Sequence, residues 1–239
     1  MKNFYEKEIH LRSSDFDINK RLLPSAVLDL FQIVAGEHAN ILGCGSDNLL
    51  EKELLWVLVR TKYEVYKQPE MYQKVTVKTW PLAPSRAGFQ REYIVRSDNG
   101  ETFIKGTSEW VVINKNTRRM VRTEGIYPED LNHLEDKNFP DRLSKIADFE
   151  QVGEGYFVSP GYSQLDINGH VNNTKYANYA IDALNIQDLN ITSLQIDYRK
   201  EVYLNEKVEI FVKRENKNIL VKGIDSEEKV KFACEIAVI

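Results

Sequence analysis

The chain has 239 residues, enough for one large domain or two of about 110 that each bury a core. Its 42% hydrophobic and 10% aromatic content is that of an ordinary soluble globular protein, and no apolar run nears the roughly 20 residues that span a bilayer. A net charge of −4 argues against general nucleic-acid affinity, and two distant cysteines and four scattered histidines argue against a disulfide framework or a metal site.

Residues 4–12 read as a short strand, followed by a polar loop over 14–21. Pro24 suits the first turn of a helix, where its missing N–H costs nothing. That helix is expected to run to about Leu42, to stop at Gly43, and to be buried on most sides, because it is apolar nearly all round from Ala26 to Ala35. Gly43-Cys-Gly-Ser46 lacks the lysine and spacing of a phosphate loop and reads as a helix stop and turn. Strand-like runs follow over 54–66, 74–80, 88–96 and 102–114, with the hairpin signal Asp98-Asn-Gly100 between the last two. Residues 117–150 are charged and weakly periodic, with Pro128 and Pro140, and read as a linker with short helical turns.

The pattern then restarts with a strand over 156–165, a polar loop and a helix over 173–184. Tyr176, Ala177, Ala180, Ile181 and Leu184 put one apolar stripe on that helix, and Asn172 or Asn173 can cap it. Strands follow over 193–203, 207–214, 218–224 and 229–238. The order strand, loop, helix, four strands therefore occurs twice. Ser14-x-x-Asp17-Ile-Asn19 matches Ser163-x-x-Asp166-Ile-Asn168, and Tyr63-Glu-Val-Tyr66 lines up with Lys200-Glu-Val-Tyr203. One duplicated unit, each copy a sheet wrapped round a helix, is the expected α+β architecture. Where the second copy has His170 the first has Arg21, so one site per chain is expected.

The loop from Asp166 to Asn173 concentrates the chemistry. Acyl hydrolysis needs a nucleophile or activated water, a proton acceptor and donors facing the developing oxyanion. Histidine is the side-chain type suited to proton transfer near neutrality, and His170 is the one in this loop; Asp166 can orient or activate the attacking group, and Asn168 can hold a water or a carboxylate. The helix start offers free N–H groups. The same residues are also ordinary turn and cap residues, so composition leaves a catalytic and a structural loop both open. Lys115, Arg118, Arg119 and Arg122 form a basic cluster that can meet an acidic carrier or sit as a solvated strand end.

Three separated motifs then carry a resemblance. Leu165-Asp-Ile-Asn-Gly-His-Val-Asn-Asn-Thr-Lys-Tyr176, Ile196-Asp-Tyr-Arg-Lys-Glu201 and Trp110-Val-Val-Ile-Asn-Lys-Asn-Thr-Arg-Arg119 make the chain similar to the acyl-acyl carrier protein thioesterases, which end fatty-acid synthesis by releasing the free acid. The resemblance implies a bacterial member with two tandem hotdog domains, over 1–128 (acyl-chain binding) and 149–239 (catalytic motif), joined by a linker over 129–148. It implies Asp166, Asn168, His170 and Glu201 as the catalytic set, and Phe31, Trp56 and Asn173 as substrate-binding positions. Strand alternation would put Glu201 on a charged face with Gln195, Asp197 and Arg199. Plant members carry a cysteine after this glutamate; Val202 stands there, so a thiolate mechanism has no residue at that position. No cofactor or metal is expected. The expected partner is acyl carrier protein bearing a fatty acyl chain, without nucleic acid or membrane insertion. The absence of an apolar leader points to the cytoplasm, and a homodimer is left open. An acyl-coenzyme A thioesterase and a non-catalytic acyl-binding hotdog protein are the alternatives.

Overall fold

The computed structural model describes residues 2–86, 88–185 and 188–239. The first half contains β1 (Tyr5–His10), α1 (Pro24–Ile41), α2 (Ser46–Leu50), β2 (Leu54–Val65), β3 (Lys74–Pro81), β4 (Phe89–Arg96) and β5 (Thr102–Asn114). The second contains β6 (Tyr156–Val158), α3 (Lys175–Leu184), β7 (Ile191–Tyr198), β8 (Val208–Glu215), β9 (Asn218–Ile224) and β10 (Val230–Val238). A 3-10 turn precedes each long helix, at Ser13–Asp15 and Tyr162–Gln164.

All ten strands form one antiparallel sheet in the order β1-β3-β4-β5-β2-β7-β10-β9-β8-β6. The order reads as a five-strand pattern followed by its mirror, the signature of the duplication. The seam is the β2–β7 pairing, from Arg60 opposite Asp197 to Glu64 opposite Ser193. Helices α1 and α3 touch each other, and a single core runs through both halves, from Phe31, Val34 and Ile104 to Ala177, Leu194 and Phe232. Gly106 on β5 makes room for Phe31 of α1: a Cβ there would lie 2.3 Å from Phe31 Cε2, so only glycine leaves space for the ring. Among the described residues no helix is long and apolar enough to cross a membrane.

The structure departs from the sequence expectations at four places. Helix α2, at only five residues, is too short to show periodicity; it is anchored by buried Leu49. The strand expected over 156–165 is confined to Tyr156–Val158, because Pro160 has no N–H for a ladder and the chain turns at Tyr162. The strand expected over 193–203 ends at Tyr198: the N–H groups of Arg199 and Lys200 both bond the Lys231 carbonyl, so alternation breaks there.

The fourth is the segment between the halves, which holds no helical turn among its described residues. It is an extended strap across the outer face of the sheet. Trp80 Nε1 on β3 donates to the Asp136 carbonyl, and Asn138 donates to the carbonyls of Tyr93 and Gly106. Arg60 reaches the Leu143 carbonyl, Asp197 accepts from the Ile146 N–H, and Lys222 on β9 pairs with Asp148. Six strand steps separate β3 from β9, about 29 Å at the usual spacing. The 136–148 stretch would cover only about 18 Å as a helix but reaches easily when extended. Its apolar residues Phe139, Leu143 and Ile146 are buried. The polar side chains beneath it, Glu92, Glu109, Gln195 and Asp197, are buried with partners.

Candidate active site

The loop that opens each repeat is built twice with the same bonds. In the second copy Asp166 Oδ1 accepts the N–H groups of Asn168 (2.8 Å) and His170 (3.3 Å), and the Asp166 N–H bonds the His170 carbonyl at 2.7 Å. Gly169 supplies the left-handed residue of the turn, φ +78°. In the first copy Asp17 Oδ1 accepts from Asn19 and Arg21, both at 2.8 Å, its N–H bonds the Arg21 carbonyl, and Lys20 takes the left-handed position. Each aspartate is thus first a device for folding its loop.

What faces the two loops differs. Arg21 makes ion pairs through Nε with Asp17 and through Nη1 with Asp188. His170 presents Nδ1 to Glu201 Oε1 at 3.7 Å and packs edge-on against Tyr203. Glu201 also receives the Arg118 guanidinium, and the Tyr203 hydroxyl donates to its Oε2 at 2.9 Å. Burial pushes the Glu201 carboxyl up, but the hydrogen bonds from Arg118 and Tyr203 and the charge of His170 outweigh it and hold the group below the usual carboxylate range. The expectation that Glu201 shares a face with Gln195, Asp197 and Arg199 is corrected: those three meet the strap, while the broken alternation after Tyr198 turns Glu201 to His170.

The site opens on a cavity of about 1420 Å³ between the halves. Asp166, Asn168, His170, Asn173 and Glu201 from the second half and Trp56 from the first all line it. Asn168 Nδ2 reaches back to Asp166 Oδ2 at 3.4 Å. Asn172 Oδ1 accepts the N–H and hydroxyl of Thr174, the residue that opens α3, both at 3.0 Å. Phe31 is not part of this wall. It is buried in the core, stacked on Tyr93 with centroids 4.2 Å apart, because α1 turns that face to Gly106. Trp56 is fixed in place by its Nε1 donating to the Cys44 carbonyl at 2.8 Å.

Arg118 and Tyr203 escaped the sequence reading. Arg118 belongs to the basic cluster read as a carrier contact or solvated strand end, and the structure joins it to Glu201 instead. It comes from the first half, at the turn after β5, with φ +58°. The signal for Tyr203 was present: Tyr66 and Tyr203 each donate to the glutamate two residues earlier, so the aligned Glu-Val-Tyr repeats share a geometry.

Among the described residues, ten strands, two long helices and a polar site at the junction define a double-hotdog protein. A model of the acyl-ACP thioesterase N-terminal domain matches residues 2–129, and one of the C-terminal domain matches residues 151–238. The chain belongs to the acyl-ACP thioesterase family. It is 28% identical to oleoyl-acyl carrier protein thioesterase 2 of Arabidopsis thaliana, with 92% of this chain and 65% of that protein aligned. It is 30% identical to the palmitoyl-acyl carrier protein thioesterase of the same plant, with 82% of this chain and 52% of that one aligned. The chain therefore spans less than two thirds of the length of these relatives. The same fold occurs in an acyl-ACP thioesterase from Bacteroides thetaiotaomicron, at TM-score 0.86 and 23% identity over 99% of this chain and 98% of that one. It occurs too in the 12:0-ACP thioesterase from Umbellularia californica, at TM-score 0.87 and 21% identity over 100% and 98%.

Proposed function

We propose that the chain hydrolyses the thioester of a fatty acyl group carried on acyl carrier protein, releasing the free fatty acid. The observation that carries this reading is the His170–Glu201 pair beside the Asp166 loop, on the wall of a cavity that continues into the first half. A carboxylate kept ionised next to an imidazole makes that imidazole a better proton acceptor. His170 takes a proton from a water as its oxygen attacks the thioester carbonyl carbon, the C–S bond breaks, and the proton passes to the leaving sulfur. Asp166 and Asn168 orient the loop and the water. The N-terminal end of α3, with Asn173 on the wall, supplies partial positive charge to the oxyanion.

In this reading the first half, 1–128, receives the acyl chain, with Trp56 lining it, and the second, 149–239, supplies the chemistry. Arg118 is a positioning residue lent by one half to the other. No cofactor enters the reaction. Both cysteines are free and buried, which suits a reducing cytoplasm. The test is hydrolysis of a panel of acyl chains on carrier protein and on coenzyme A. Turnover with kcat/KM highest on the carrier is expected; a clear preference for coenzyme A would overturn the carrier assignment, and no turnover on either would overturn the enzyme.

A further inference from the structure

The cavity wall passes from Tyr198 on β7 through Leu58 on β2 and Trp110 on β5 to Arg91 on β4. These four strands are successive neighbours, so about 14 Å separates the His170 side of the cavity from Arg91. Arg91, three strands from that side, lines the cavity with a guanidinium that is only 5% exposed.

No carboxylate among the described residues pairs with Arg91. Its Nη1 serves two neutral acceptors, His38 Nδ1 at 3.1 Å and the Thr79 hydroxyl at 3.3 Å. His38 is itself fixed as the neutral tautomer that can accept, since its Nε2 donates to the Lys2 carbonyl at 3.2 Å. Tyr127, which lines the same cavity, is a further neutral partner of the guanidinium. A buried cation whose partners are all neutral is incompletely compensated, and water in the cavity has to make up the difference.

We propose that Arg91 is a polar subsite that reads the far end of the acyl group. A plain alkyl chain long enough to reach it strips water from the guanidinium and returns nothing, so Arg91 limits the length of such chains. A chain ending in an oxygen acceptor, a hydroxyl or a carboxylate, replaces that water with a charge-assisted hydrogen bond and is accepted at the length where the alkyl chain is refused. The inference deepens the thioesterase reading and is measured through it.

The experiment compares thioesters of matched length on acyl carrier protein, one series ending in methyl and the other in an ω-hydroxyl or ω-carboxyl. With the unaltered protein, kcat/KM is expected to favour the oxygenated member by at least about tenfold once the chain reaches Arg91, the factor of one hydrogen bond to a charged group. Arg91→Met is expected to abolish that preference and move the methyl series to longer chains, while Arg91→Lys retains part of it. Equal or better turnover of the methyl member at every length overturns the subsite and leaves the thioesterase intact. Should no thioester be turned over, the thioesterase reading fails separately. The subsite is then judged by calorimetric Kd values of an ω-hydroxy acid and the plain acid of equal length: tighter ω-hydroxy binding upholds it, and equal binding overturns it.

Discussion

Arg21 and His170 stand at the same point of one loop built twice: each backbone N–H bonds the aspartate four residues earlier, and each carbonyl accepts that aspartate's N–H. The loop is therefore a scaffold common to both copies, and what distinguishes them is the side chain at its fifth position and the group facing it. His170→Ala and Asp166→Ala are each expected to lower kcat by at least about 10²-fold with the fold retained, the first through loss of the proposed general base and the second through loss of the group that orients the loop and the water. Arg21→Ala should leave kcat within about twofold, since it faces Asp17 and Asp188 rather than the cavity. Steady-state kinetics on carrier-bound substrate decides both.

Arg118 sets the acidity of Glu201, and the pH profile should show it. In the proposed mechanism Glu201 works as the carboxylate, so activity should fall as pH drops through its pKa, which the structure holds below the ordinary range. Arg118→Gln removes a hydrogen bond and a positive charge, which raises that pKa. The acid limb of kcat/KM should move to higher pH, with kcat down on the order of tenfold. Tyr203→Phe should move the limb the same way but less. A profile that keeps its acid limb while falling uniformly would make Arg118 a merely structural residue.

Phe31 and Trp56 should separate cleanly. Phe31→Ala empties a site in the packed core between α1 and β5 and should cost about 3–5 kcal/mol in chemical denaturation. Gly106→Ala should also lower the midpoint, because the added Cβ meets the Phe31 ring. Trp56→Ala should act mainly on KM and on chain-length preference, since its ring borders the cavity.

His38 makes stability pH-dependent in a defined window. Burial, chiefly, and the charge of Arg91 lower its pKa from 6.5 to about 4. Below pH 6.5 the unfolded chain binds a proton that the folded protein does not, so this contribution to stability shrinks as pH falls from 6.5 to about 4. The loss approaches about 3 kcal/mol. Denaturation midpoints of His38→Asn should be flatter over that range than those of the unaltered protein.

Most of the strands and both long helices were legible in the sequence, because each has a regular apolar period and is bounded by proline, glycine or an Asn-Gly turn. The duplication behind the mirrored sheet shows in the repeated Asp-Ile-Asn segments, and four of the five site residues on the loop's side of the cavity, Asp166, Asn168, His170 and Asn173, lie in one readable stretch, Glu201 being the fifth. What was illegible depended on the backbone leaving its period. Two N–H groups sharing the Lys231 carbonyl redirect Glu201, and no alternation rule anticipates that. Arg118 contacts a residue 83 positions away, a relationship set by the seam between halves rather than by local spacing. The strap looked like a linker because its order comes from bonds to the sheet, which leave no period in its own sequence.

The strap has one more effect. It is stitched to β4 on one side of the β2–β7 seam and to β9 on the other, and its main chain satisfies Arg60 and Asp197 from opposite halves. Severing the halves would strand those charges and leave β2 and β7 as open edges. The tandem should therefore unfold in a single step, and either half expressed alone should be prone to aggregate.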